Sequence, residues 1–544
     1  WEKDNPYQSL WKQNLQIEFN IPIPREIEEI LNQKEKIASR LSEDNLTMDK
    51  SPKKIFDQNR VNTLEKKIEK GETFPQEKLE KESQNTGKGV RPVYIILATK
   101  EGIIKKYGQK TFDVINEYLR KLERIIKKRP GWDCILFYPD DIRITRLFNI
   151  SPIEKIDPWK IKLSLTDLDN NLQQKGFMIG AILIVGGDEI VPFHRLPNPT
   201  EDNDLEVLSD NPYAASDNNY FVPEWLIGRL PGEKGKDAGL LLQQLREVIA
   251  WHQNLYENKT IFRRIIEELK FWKKIYKIFL STFQKKRNYG YSTAVWHRSS
   301  IAAYRPIGNG NTLRIAPPFN QETIDVENIG TARYLYFNLH GMADSPNWYG
   351  QKDISDHTDA PDFPIALSVK NLSLADKYHQ AIFTEACYGG FVLDKCVEDS
   401  LALKFLSNKV PAFVGSTCIS YGSVYPPIIG ADLLSYFFWR YIKEGHSNGG
   451  ALLNAKMSLV KAMTEKQGYL DGEDQKTLIS FVLYGDPLMR IDESSVDKKN
   501  GVGPREKIEI KAFDDNKDLI MEPPRLSGEI ISNLKEVLSG YLLG

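Results

Sequence analysis

Cysteine is scarce in this chain. The 544 residues carry four, Cys134, Cys387, Cys396 and Cys418, too few and too irregularly spaced to staple a protein of this size or to build a zinc ribbon. A reducing compartment is therefore favoured. Net charge is also lacking, because 73 Lys and Arg against 74 Asp and Glu leave a formal −1. No global positive field exists to gather nucleic acid or an anionic membrane, and contact with nucleic acid is expected only through a partner. No uncharged apolar run reaches the roughly eighteen residues a membrane-spanning helix needs, so no membrane association is expected. The opening WEKDNPYQSL lacks the basic and apolar regions of a signal peptide. Because the chain starts on Trp1 rather than Met, a leader can have been removed; a cytoplasmic location is favoured and secretion stays open. There is no GxxxxGK[ST], no HExxH and no paired CxxC, which argues against a phosphate-binding loop, a catalytic zinc and a structural zinc site. Neither a cofactor nor a catalytic metal is expected.

What is present divides into four stretches. Residues 1–90 hold 33 charged side chains, 16 basic and 17 acidic, in runs such as LEKKIEKGETFPQEKLEKESQNTGKG, a texture of exposed helices and linker with a regulatory reading. From Arg91 the texture changes. VYIILAT, CILFY and AILIVGG are apolar, β-branched runs separated by helical patterns, the signature of βαβ units and a parallel sheet. A first α/β subdomain is expected over 91–290, ending in a long helical insertion from Ala238 to Arg287. A second, over 291–492, carries YSTAVWH, YLYFNLHG, AIFTEACYGG and PAFVGST. Residues 493–544 read as a linker and a C-terminal docking segment. The architecture expected is two adjacent, mostly parallel sheets flanked by helices.

Two strands of the second series end in reactive residues. YLYFNLH places His340 at a carboxyl edge, and AIFTEAC places Cys387 at another, 47 residues later. Strands of one parallel sheet deliver such ends to one crevice. A thiolate attacks carbonyl carbon, and a neighbouring imidazole removes the thiol proton and returns it to the leaving amine. Gly341 after the histidine, and Gly389 and Gly390 after the cysteine, allow close approach of a substrate backbone and leave main-chain N–H groups to bind an oxyanion. Taken singly, a strand-end Cys is more often a small buried hydrophobe and a lone His a satisfied polar group. Their pairing, each closing an apolar strand and each followed by glycine, is what points to catalysis.

The runs NLHG, TEACYGG, PAFVGST, NGGALLNAK and FVLYGDPLMRI resemble the gingipain-like cysteine peptidases, the C25 family of the caspase-fold clan. The earlier run AILIVGGDEIVPFHRLP followed by LSDNPYAASDNNYFVPEWLIGRLPG is similar to that family's first subdomain. The likeness spans about 93–492. It implies a caspase-like α/β fold and an endopeptidase acting through a thioester acyl-enzyme on a protein or peptide substrate. Cys387 is then the nucleophile and His340 the general base and acid, with the N–H groups of Gly341 and Cys387 as oxyanion donors. It also implies that Asp210 of SDNPY, at the Asp-x-x-Tyr position, floors a pocket for a basic P1 residue; Asp-Asn-Pro is equally good turn chemistry, or a calcium ligand. Asp188 of VGGDE, or Glu189 beside it, is the candidate to orient His340. Trp348 and Tyr349 after the histidine, with Ser416 and Tyr421 near the VGST turn, are candidates to wall the substrate cleft. The tail after Asp492 is too short for the immunoglobulin-like module that follows the gingipain catalytic domain.

Two features stand outside this likeness. Asp353, Asp356, Asp359 and Asp362 can bind structural calcium, although their spacing is no EF-hand and a polar surface loop accounts for them. The stretch 257–287, with IFRRIIEELKFWKKIYKIFLSTFQKKR, pairs an apolar stripe with a basic face: a packed helix, or a docking site for an acidic partner or nucleic acid. Together with residues 1–90 it motivates a second reading, a regulated subunit of a larger assembly that binds a regulatory protein partner, with protease activity conditional or silent.

Overall fold

The computed structural model describes residues 91–217, 219–268, 288–372 and 380–491, with side chains of 255–268 left aside. The N-terminal ninety residues, the basic part of the helical insertion beyond 268 and the C-terminal segment lie outside the described residues. The chain divides into two units, Trp1–Asn85 with Asp353–Thr358, and Thr86–Lys352 with Asp359–Gly544. Of the first, only Asp353–Thr358 is described; it contains a turn closed by the Asp356 N–H donating to the Asp353 carbonyl at 2.9 Å. The second unit carries the fold.

Its strands are β1 (Arg91–Leu97), β2 (Asp133–Phe137), β3 (Phe177–Val185), β4 (His194–Pro197), β5 (Glu206–Ser209), β6 (Leu226–Leu230), β7 (Asn288–Thr293), β8 (Leu313–Ala316), β9 (Tyr334–Asn338), β10 (Trp348–Tyr349), β11 (Ile365–Leu367), β12 (Ala381–Thr384), β13 (Ala412–Ser416) and β14 (Phe481–Gly485). Helices α1 (Gln109–Lys127), α2 (Pro158–Gln173), α3 (Gly239–Glu268), α4 (His297–Tyr304), α5 (Leu401–Ser407), α6 (Gly430–Lys443), α7 (Asn448–Gln467) and α8 (Gly472–Ser480) run between them.

Local chemistry explains the punctuation. Asp157 caps α2 ahead of Pro158 at its first turn, its carboxylate accepting from the Lys160 N–H at 2.9 Å. Ser447 caps α7, and Gly468 closes it in the left-handed conformation at φ 85°. Along α1, Phe112, Ile115, Leu119, Leu122 and Ile126 recur every three or four residues and are buried, so this face packs inward while the lysines face water.

Ten strands form one sheet in the order β2-β1-β3-β6-β14-β13-β12-β9-β7-β8. The expected α/β architecture is present, and its two adjacent sheets are the halves of this one, joined by β14. Within each half neighbours are parallel, β14 pairs parallel with β6, and β14 pairs antiparallel with β13. The direction of the sheet therefore reverses at its centre. Carboxyl ends of β1, β2, β3 and β6 emerge at one edge, those of β13, β12, β9 and β7 at the other.

Both faces of the second half are covered. Leu335, Phe337, Ile382 and Phe413 belong to one buried cluster, while Tyr334, Tyr336, Phe383 and Val414 belong to another. Successive residues of β9, β12 and β13 thus alternate between two cores. Each fully buried Leu, Ile or Phe contributes roughly 1.5–3 kcal/mol, which fixes register, since a slip of one residue would exchange the two faces.

Candidate active site

β9 and β12 are neighbours in register, with Phe337 opposite Thr384, so the residues that follow them emerge side by side. His340 is fixed first through its main chain: its N–H donates to the Tyr349 carbonyl and the Tyr349 N–H donates back, both at 2.9 Å. The imidazole is bracketed by Trp296, with ring centroids 4.4 Å apart, and by Phe363 at 5.8 Å. Its Nε2 lies 2.8 Å from Gln351 Oε1. An amide oxygen only accepts, so Nε2 carries the proton and Nδ1 keeps the lone pair. Burial lowers the His340 pKa to about 4, opposed by the hydrogen bond to Gln351. The ring is neutral over most of the pH range, the form a general base requires.

Cys387 follows β12 on a tight turn in which the Gly389 N–H donates to the Ala386 carbonyl at 2.9 Å. Tyr388, directly after it, is held at φ 55°, a left-handed conformation that costs a non-glycine residue about 1–2 kcal/mol. The Tyr388 N–H donates to the Cys418 carbonyl at 2.9 Å. The thiol rests against the loop after β13, with the Ser420 N–H 3.4 Å from Sγ and the Ser420 carbonyl at 3.7 Å. Burial pushes the thiol above its ordinary pKa and the Ser420 N–H pulls it back in part. At rest the pair is thus a neutral thiol and a neutral imidazole.

Gly341 and Cys387 touch through their backbones. A Cβ at position 341 would overlap the Cys387 carbonyl oxygen, and would lie 3.2 Å from the Ala386 Cβ. Only glycine fits there. Among the described residues, the main-chain N–H groups of Gly341 and Cys387 have no hydrogen-bond partner, so two donors stand free at the contact of the two strand ends.

Other candidates from the sequence fall elsewhere. Asp188 accepts from the Phe193 N–H at 2.7 Å and pairs with Arg195 at 3.0 Å, and Glu189 pairs with Lys106 at 2.5 Å. Both follow β3, whose carboxyl end lies at the edge opposite His340, so neither orients it. Gln351, which no charge pattern marks, occupies that place. Asp210 is buried and bound side-on by the fully buried Arg229, Oδ1 to Nη2 at 2.5 Å and Oδ2 to Nε at 2.9 Å. A carboxylate neutralised from within has no charge left for a substrate cation, so the expected S1 role fails. Trp348 is 4% exposed and packs on Phe337 and Phe405 in the core. Tyr349 is equally buried, its hydroxyl 2.9 Å from Ser345 Oγ, and Ser416 is fully buried with its hydroxyl donating to the Cys418 carbonyl at 3.0 Å. None of the three walls a cleft. Tyr421 stays half-buried beside Ser420, donating its hydroxyl to Asp202 at 2.5 Å.

Sequence reasoning missed Asp202, Asp204 and Lys476, which converge behind that same loop. Their spacing in TEDNDLEV carries no periodic signal, and Lys476 lies far off in the chain. The run Gly445-His446-Ser447-Asn448-Gly449 has the Gly-x-Ser-x-Gly form of a hydrolase elbow. Here it lies between α6 and α7 rather than after a strand, and Ser447 Oγ accepts from the Gly450 N–H as a helix cap at 3.2 Å. Among the described residues no three His, Cys, Asp or Glu side chains gather as metal ligands. Asp353 and Asp356 use their carboxylates to accept from the N–H groups of Ser355 and Thr358, both at 2.9 Å.

An open groove of about 510 Å³ adjoins the two strand ends, lined by Ala343, Asp344 and Pro346 after the histidine and by Phe391, Leu393, Asp394, Lys395 and Asp399 after the cysteine. The family model of peptidase family C25 matches residues 142–492. The chain belongs to peptidase family C25. It is a cysteine-type endopeptidase, a hydrolase of peptide bonds. Similar solved structures include the Arg-specific cysteine proteinase gingipain R, 14% identical, covering 74% of this chain and 78% of that one at a TM-score of 0.45. A complex of the pro- and mature domains of a Porphyromonas gingivalis gingipain is also 14% identical, over 73% and 80% of the two chains at 0.44. A further protease is 10% identical over 73% and 78% at 0.44. No curated protein matches the chain in sequence. Among the described residues of this C25 peptidase no helix is long and apolar enough to cross a membrane.

Proposed function

We propose that Cys387 and His340 form the catalytic dyad of this peptidase. The observation that carries the reading is the backbone contact of Gly341 with Cys387, which brings the two strand ends together with two unpartnered N–H donors between them. His340 Nδ1 takes the thiol proton as Sγ attacks the scissile carbonyl carbon. The carbonyl oxygen becomes an oxyanion between the Gly341 and Cys387 N–H groups, each such donor being worth roughly 2.7–4 kcal/mol. Collapse expels the amine, which carries away the proton from His340, and leaves a thioester. Water, deprotonated by the same imidazole, releases the acid and restores the thiol. Gln351 holds the ring so that Nδ1, not Nε2, presents the lone pair.

The test is Cys387→Ala against the parent on fluorescently labelled casein, with iodoacetamide labelling mapped by mass spectrometry. Loss of cleavage and of labelling at Cys387 is expected. Parental cleavage by the variant overturns the reading.

The basic P1 preference has lost the carboxylate on which it stood, since Asp210 is paired with Arg229. Regulation through residues 1–90 and the basic stretch 257–287 rests on sequence alone. A truncation starting at Gly87 that is more active than the full chain would support it, and one with unchanged activity and an elution shift accounted for by its mass would remove it.

A further inference from the structure

The reactive turn is gripped from behind by a single carboxylate. Asp204 is 6% exposed, and its two oxygens bind three donors. Oδ1 accepts from the Tyr388 hydroxyl at 2.5 Å; Oδ2 accepts from the Ile419 N–H at 2.9 Å and from Lys476 Nζ at 2.6 Å. Tyr388 is the residue immediately after Cys387, the one held left-handed. Ile419 immediately precedes Ser420, whose N–H and carbonyl flank the sulfur. One carboxylate therefore holds both walls of the thiol's berth: the turn that carries it and the loop that faces it.

Charge balance makes this arrangement possible. Lys476, on α8, is 1% exposed and lies between Asp204 and Asp202, paired with both. Asp202 in turn accepts from the Tyr421 hydroxyl and from Thr200 Oγ1 at 2.9 Å. A buried cation with two carboxylates, each satisfied by further donors, is costly to disturb because removing one member leaves a buried charge short of its complement. The segment that bears Asp202 and Asp204 precedes β5, whereas Cys387 follows β12, so the clamp spans the two halves of the chain.

We propose that Asp204, charge-balanced by Lys476, is a positioning residue for the peptidase reaction, holding Tyr388 and the Ile419–Ser420 main chain so that the Cys387 sulfur keeps its line of attack. It does not touch substrate; it acts through Cys387, and the proposal rests on the dyad assigned above. Misplacement of a reacting atom by about 1 Å can cost on the order of a hundredfold in rate, and the strained Tyr388 has most to relax once its hydroxyl is released.

The experiment measures kcat and KM for a peptide substrate chosen from a positional library, in Asp204→Asn and Tyr388→Phe, each normalised to sites titrated with an acyloxymethyl ketone. The asparagine keeps the size and loses the charge; the phenylalanine loses only one hydroxyl. For Asp204→Asn, kcat per titrated site is expected to fall about 10–100-fold with KM moving less than about threefold. Tyr388→Phe is expected to lose a smaller share of kcat, at least about fivefold, and the double variant to be no worse than Asp204→Asn, since both break one clamp. A merely structural role would lower the titrated fraction and leave kcat per site within about twofold, which would overturn the proposal. If Asp204→Asn fails to fold, the Tyr388→Phe value decides by the same limits. Cys387→Ala, run alongside, separates the two claims: inactive Cys387→Ala with a parental Asp204→Asn removes the clamp alone, while active Cys387→Ala removes the dyad and the clamp with it.

Discussion

Gly341 and Cys387 meet backbone to backbone, so closely that the position after the histidine admits no side chain. The contact joins the ends of two neighbouring parallel strands and sets the spacing of the two groups whose chemistry the fold delivers. Gly341→Ala forces the two backbone segments apart, so it is expected to lower the melting temperature and to lower kcat/KM by about a hundredfold or more as the dyad widens and one oxyanion donor turns away. Steady-state kinetics and a thermal melt on the same preparation check this; parental kcat/KM with an unchanged melt would contradict it.

Burial sets the protonation of His340, against the hydrogen bond to Gln351. With the imidazole pKa lowered to about 4, the acid limb of kcat/KM is expected near pH 4, since activity requires the neutral ring in the free enzyme. Gln351→Glu places a carboxylate 2.8 Å from Nε2 in place of the amide. A negative charge there stabilises imidazolium and raises its pKa, so the limb is expected to move to higher pH by about one unit or more. A pH profile of kcat/KM reads the change, and a limb that stays put would mean that another group sets it.

Asp210 is a structural partner of Arg229. Asp210→Asn leaves a fully buried guanidinium without its counter-charge, which typically costs about 3–5 kcal/mol. The expected result is a large drop in melting temperature with the P1 profile of the remaining active enzyme unchanged. A P1 profile that loses Arg and Lys while stability holds would return Asp210 to the substrate pocket.

Beneath the catalytic edge, Glu385 and Asp432 face one another in the core, joined by Asn338 and the Ser423 N–H on the Asp432 side. Burial, with the neighbouring Asp432 charge, raises Glu385 well above the carboxylate range, and burial raises Asp432 to about 6. A carboxyl whose folded pKa is raised contributes its full stability below its unfolded value and loses it as pH climbs through the raised one. Glu385→Gln mimics the protonated form at every pH. Its melting temperature is expected to match the parent's at pH 5 and to lie several degrees above it at pH 8, a tenfold difference in proton affinity between folded and unfolded chains being worth about 1.4 kcal/mol. Differential scanning calorimetry at the two pH values is the measurement, and a pH-independent difference would refute the pairing.

Much of this was legible in the sequence, and the reason is burial. YLYFN, AIFT and AFVGS lie between two cores, and VYIIL and AILIV are buried along their whole length, so their apolar runs are unbroken and His340 and Cys387 stand out where the runs stop. What escaped was whatever depends on which strand pairs with which. FVLYG reads as a strand, yet nothing local says that it enters between the halves and reverses the sheet; without that, Asp188 seems to share an edge with His340. Asp210 was visible as a carboxylate, but its partner Arg229 was hidden inside the apolar-looking LIGRL. Gln351 and Lys476 are single polar residues whose meaning comes only from what folds against them. Residues 1–90, 269–287 and 492–544 lie outside the described residues, so the regulatory reading keeps its sequence basis alone.

The strand that reverses the sheet is also the last one in sequence among the described residues. His340 and Cys387 are synthesised 141 and 94 residues before Phe481, and until β14 enters, β6 and β13 lack the neighbour that lies between them. A growing chain halted there has every reactive group and no continuous scaffold. Continuity of the scaffold between the two halves thus depends on five residues that carry none of the chemistry.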